Sequence, residues 1–189
     1  MTTSWQLDIA ATHSRVGDVS RAQGKLAEAQ AAFGEYLTIS RQLAAQDPSN
    51  AGWQFDLGCS LDRMAGLLKG QGDPGAARML FSEALQISRR LAAQDSSNAN
   101  NQRDLAISAW RVASLDAETG NHAAALPLYE EAARIFGELA KKAPDFAQWA
   151  KDKEQVEMEL LLCRLKVQAS TPADPVPPSK PKPPSRADR

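Results

Sequence analysis

Trp53-Gln54-Phe55-Asp56 opens, and Ile87-Ser88-Arg89-Arg90-Leu91-Ala92-Ala93-Gln94-Asp95 nearly closes, a 48-residue stretch that the chain states almost three times. Trp5-Gln6-Leu7-Asp8 lies one period before its start, and Ile39-Ser40-Arg41-Gln42-Leu43-Ala44-Ala45-Gln46-Asp47 one period before its end. A further step reaches Asn101-Gln102-Arg103-Asp104-Leu105, and a fourth begins at Trp149-Ala150-Lys151-Asp152. Self-similarity at such a period means stacked supersecondary units, each covering the apolar face of the next. Repeats at 5–52, 53–100 and 101–148 follow.

Within the unit, apolar residues recur every three to four positions, the spacing of one buried helical stripe. Trp53, Leu57, Leu61, Met64 and Leu68 mark a first helix, A, and Ala77, Phe81, Ala84, Ile87 and Leu91 a second, B. The first unit supplies Trp5, Ile9, Val16 and Val19, then Ala29, Phe33, Leu37, Ile39 and Leu43. The third supplies Leu105, Val112, Ala113 and Leu115, then Ala125, Tyr129, Ala132, Ile135 and Leu139. Gly24, Gly72 and Gly120 stand where helix A must stop, as glycine does just past a helix end. Thr3-Ser4 are expected to cap the first helix, and Asp47-Pro48-Ser49-Asn50 to end one unit and cap the next. Pro127 sits in or just beyond the first turn of its helix.

A seventh helix is expected at 146–168. Trp149, Val156, Leu160 and Cys163 point inward, while Asp152, Glu154, Glu157 and Glu159 solvate an outer face, the task of a terminal cap. The Pro-rich segment 169–189 reads as a disordered tail. Within it, Pro181-Lys182-Pro183-Pro184-Ser185-Arg186 fits a polyproline ligand pattern, but such patterns arise readily in Pro/Lys-rich tails and a solubilising or tethering tail is the favoured reading.

The 189 residues are 43% hydrophobic and carry a net charge of −1, with a pI near 6.1. No basic field recruits nucleic acid or an anionic membrane, and neither a leader nor a spanning segment stands out. A cytoplasmic protein is the expectation. Cys59 and Cys163 lack disulfide or zinc-site spacing. His13 and His122 stand apart from other ligands, and Gly70-Gln71-Gly72-Asp73-Pro74-Gly75 spells GxGxxG with no strand before it. Cofactors, metal and catalytic residues are therefore expected to be none, and the chain is not expected to be an enzyme.

Small residues twelve apart followed by an aromatic recur as Gly17, Ala29, Phe33, then Ala65, Ala77, Phe81, then Ala113, Ala125, Tyr129. With Val16-Gly17 and Gly24, this pattern resembles the tetratricopeptide repeat, in a long variant: the family's usual unit is about 34 residues. Seven more residues in each helix lengthen it by about 10 Å, so the nearer comparison is the kinesin light chain type. The resemblance implies an all-α fold, a right-handed superhelical stack of antiparallel hairpins with about seven helices, and an adaptor function.

The resemblance also implies that helices A line a concave groove where a protein or peptide partner docks. Its candidate residues are Arg15, Asp18, Arg21, Asp62, Arg63, Lys69, Trp110, Arg111 and Ser114. Arg15, Arg63 and Arg111 recur at one site and could pair with the carboxylates of an acidic peptide. Asp8, Asp56 and Asp104 recur as well, so the same arginines could serve packing or internal ion pairs. Trp110 replaces Ser14 and Asp62, either as an anchor for the partner or as a filler above the third hairpin. The alternative function is self-association through exposed end faces, with the first helix as the weaker cap.

Overall fold

A computed structural model describes residues 3–170; of the expected tail, 171–189 with the polyproline pattern lie outside them, and 169–170 complete the last helix. Seven helices follow in order: α1 Thr3–Ala22, α2 Leu26–Gln46, α3 Ala51–Gly70, α4 Pro74–Gln94, α5 Ala99–Glu118, α6 His122–Lys142 and α7 Ala147–Ser170. Thr3, Ala51, Ala99 and Ala147 begin successive A helices at the 48-residue period, as Leu26, Pro74 and His122 begin the B helices. At 20 or 21 residues, each hairpin helix is about 30 Å long. Each helix packs on its neighbours in sequence, with α5 also touching α7. This is the quasi-one-dimensional contact pattern of a repeat stack.

The turns explain the period. Gly24, Gly72 and Gly120 have φ of 75°, 84° and 84°, the left-handed conformation that lets the chain reverse within three residues. The GxGxxG string is thereby a helix-to-helix turn. Asn50 and Asn98 cap α3 and α5 by accepting backbone N–H bonds, and Asp73 does the same for α4 ahead of Pro74. Asp47 and Asp95 each accept from both the N–H and the hydroxyl of the serine two residues on, which holds their carboxyls below the usual range.

The core follows the stripes in units two and three. Leu57, Leu61, Met64, Phe81, Ile87, Leu91, Leu105, Val112, Tyr129, Ile135 and Leu139 are buried. In the first hairpin, Gly17 lies beneath the buried Phe33. A methyl group on Gly17 would sit 2.4 Å from the ring, so the two backbones approach as closely as glycine permits.

The ends depart from expectation. Trp5, Val16 and Val19 of α1 are exposed, and the buried face is Ala10, Gly17 and Ser20. One and two periods on, Met64, Leu67, Val112 and Leu115 are buried at the places of Val16 and Val19. No described helix precedes α1 to cover that side. Thr3 and Ser4 lie inside α1 rather than before it. In α7, Trp149 is half-buried and Val156, Leu160 and Cys163 pack inward as expected, and Glu154 and Glu157 are exposed, but the outer face is only partly charged. Asp152 is buried beneath Arg103, Glu159 is half-buried as a hydrogen-bond acceptor, and Met158, Leu161, Leu162 and Leu165 face outward. α6 runs unbroken from His122 through Pro127.

Two glycines test the packing. Gly17→Ala is expected to destabilise the fold by about 1–3 kcal/mol through collision with Phe33. Gly137→Ala, mid-helix with open space around it, is expected to stabilise by about 0.5–1 kcal/mol. Urea melts of both variants give the two opposite shifts in midpoint.

Candidate functional site: the face lined by helices A

Helices α1, α3, α5 and α7 present their polar sides to one surface, and a recurrent offset joins them. Arg111 donates to Asp62, Lys69 to Glu118 at 2.7 Å, Arg103 to Asp152 at 3.0 Å, and the Trp110 indole N–H to Glu159 at 2.8 Å. Each of these pairs is separated by 49 residues. At a 48-residue period, an offset of 49 pairs each position with the one just after its counterpart in the next unit. Arg63 reaches Asp18 at 3.1 Å, one turn away from that register. Glu159, where earlier units have arginine, also accepts from Ser114 at 3.0 Å and from the Tyr129 hydroxyl at 3.0 Å. Burial raises the Tyr129 phenol above its ordinary value.

The candidate residues therefore divide. Asp18, Arg21, Asp62, Arg63 and Arg111 line one cleft of about 490 Å³ between α1, α3 and α5. Lys69, Trp110, Ser114 and again Arg111 line a second, shallower hollow toward α7. Arg15 belongs to neither; it is exposed beside a smaller cleft with Tyr36, Trp53 and Asp56. The recurring arginines thus do not form one continuous row of open donors, because Arg63 and Arg111 already hold carboxylates of the preceding A helix. Trp110 is half-buried, lies edge-on to Phe136 at 6.2 Å and has its N–H occupied, so it fills space and fastens α7 to α5.

The large cleft is completed by Ile107, which the helix-A phase also places on this face, and by Phe55 and Asp104, which were not among the candidate residues. Phe55 is exposed on its rim, Ile107 is half-buried, and Asp104 makes no hydrogen bond or ion pair among the described residues. Asp62 spends one carboxylate oxygen on Arg111, while its Oδ1 is buried without a partner. Desolvation raises the Asp62 and Asp104 carboxyls above the ordinary 3.8, against the opposing pull of Arg111 on both. Desolvation and the adjacent Asp62 push the Cys59 thiol up to about 11. A signal for Phe55 existed in the repeat itself: Leu7 and Arg103 occupy its place in the flanking units, so that position varies where neighbouring ones are copied.

Neither a family model nor a curated protein sequence matches the chain. Among solved structures, BtubC (BKLC) from P. vanneervenii is similar with a TM-score of 0.52 and 16% identity over 93% of this chain and 71% of that one. The de novo designed helical repeat protein DHR64 aligns at a TM-score of 0.39 and 16% identity, covering 88% of this chain and 83% of that one. MamA aligns at 0.28 and 13%, covering 90% and 99%. The likeness to BtubC supports a helical-repeat fold. Among the described residues, no helix is long and apolar enough to cross a membrane.

Asp104 offers a test of the cleft's electrostatics. Its raised carboxyl means that the folded chain binds more protons than the unfolded one just above pH 3.8, so stability falls as pH rises through the raised value. Asp104→Asn is expected to be more stable than wild type at neutral pH. The difference should vanish in acid, below the ordinary carboxyl value, where the wild-type group is uncharged in both states. Thermal melts of both proteins across that pH range check it.

Proposed function

We propose that the chain is a non-enzymatic interaction scaffold whose cleft between α3 and α5 takes an extended peptide from a protein partner, and that the peptide contributes a Lys or Arg beside an apolar residue. The observation that carries this reading is the buried, unpartnered Oδ1 of Asp62 in the cleft, with the unpaired Asp104 also lining it. A buried acceptor without a partner costs free energy that a bound donor recovers. Exposed Phe55 and half-buried Ile107 supply the apolar contact. An acidic peptide would instead have to displace Asp18 or Asp62 from Arg63 or Arg111. Cys59 is held protonated at neutral pH, which disfavours thiolate chemistry in the cleft.

Selection from a displayed random-peptide library against the full chain tests the reading. Selected peptides are expected to carry Lys or Arg next to an apolar residue. Phe55→Ala and Asp104→Asn should each weaken them about tenfold, equivalent to about 1.4 kcal/mol. Affinity is expected to fall with acidification and to begin falling above pH 3.8, because a cationic ligand needs the ionised forms of carboxyls whose values are raised. Acidic peptides that depend on Arg63 and Arg111, or peptides indifferent to Phe55 and Asp104, would overturn it.

A further inference from the structure

We propose that the outer face of α7 is the docking surface for a second copy of this chain, whose own α7 lies across it antiparallel. This inference is independent of the peptide cleft. Met158, Leu161, Leu162 and Leu165 have the spacing i, i+3, i+4, i+7, so they form one stripe along the helix. They are 59, 54, 54 and 54% exposed. Val156, Leu160 and Cys163 occupy the opposite side and are buried in the main core cluster. Single exposed leucines are ordinary, but a contiguous stripe of four large side chains marks a contact surface.

The occupant is not another helix B in the manner of the three hairpins. Leu161 stands at the position of Gly17, Ala65 and Ala113, where a small residue lets helix B come close enough for its aromatic ring to cover helix A. At Gly17 even a methyl group would meet Phe33 at 2.4 Å. A leucine at this place keeps a partner helix farther off, at the 8–10 Å interaxial distance of helices meeting through leucine side chains.

The charges along α7 select its orientation and point to self-pairing. Glu154 lies within the stripe near its N-terminal end, and Glu157 and Arg164, seven residues apart, lie together on one flank. Antiparallel pairing brings Glu157 against Arg164 of the second copy, and the two-fold axis repeats the contact. It also carries Glu154 to the half of the copy that bears Lys166. Parallel pairing would stack Glu154 on itself. Glu157 has a long contact to Lys153 at 3.7 Å, and Arg164 bonds Glu130 at 2.8 Å. Both pairs are about half-exposed, so each can extend across an interface. One apolar stripe meeting its own copy through matched flanking charges is an isologous contact.

Sedimentation equilibrium of the full chain tests this. Between about 1 and 200 µM, the range of weak protein dimers, the mass should rise from 20.4 kDa toward twice that value. The double variant Leu161→Glu, Leu165→Glu should stay at the monomer mass with its helical circular dichroism intact. Val16→Glu, which changes the exposed apolar patch at the other end of the stack, should behave as wild type. Glu157→Arg and Arg164→Glu should each weaken the dimer about tenfold, about 1.4 kcal/mol, and their combination should restore it. A wild type that remains monomeric at 200 µM, a dimer lost with Val16→Glu but not with the leucine pair, or no restoration in the charge swap would each overturn the proposal.

Discussion

The structure depends on how closely helix B can approach helix A within one hairpin. That distance is set by the residue at positions 17, 65 and 113, which has at most a methyl side chain, and by the aromatic at 33, 81 and 129 that covers it. Burying each of these rings is a large apolar gain, and it is available only while the facing position stays small. The remaining stripes, Leu57 with Leu61 or Leu105 with Val112, then meet the preceding helix B at ordinary helix-packing distances. Three hairpins built on one constraint stack with one geometry, which is why the helix starts keep a 48-residue spacing throughout.

Much of this is legible in the sequence. The period, the glycine turns and the aromatic-on-small pairing are local, copied features, and each maps onto one position of a helix or turn. The surface assigned to the A helices was legible for the same reason: the phase of a helix fixes which side remains once the stripe is buried.

What escaped the sequence concerns relations between units. Val16 and Val19 fit a buried stripe, yet their counterparts Met64 and Leu67 are covered from the preceding unit, and periodicity within a unit does not report what its neighbour covers. Asp152 and Glu159 read as solvated charges because nothing local indicates Arg103 or Trp110 waiting one unit earlier. The arginines read as a row because they recur. Their neutralisation was hidden because each takes its carboxylate from another unit: Asp18 for Arg63, Asp62 for Arg111. The cleft's unspent groups, Asp104 and one oxygen of Asp62, became visible only after those pairings were placed.

The polar pairs that join successive A helices have an electrostatic consequence. They lie on partly exposed surface, where a charge pair contributes only about 0–1 kcal/mol, while the apolar contacts between the same units lie deeper and hold more strongly. Added salt therefore acts on the rim of the stack and not on its core: screening weakens the charge pairs between successive A helices, while the buried stripes of Leu57, Leu61, Leu105 and Val112 carry no charge to screen.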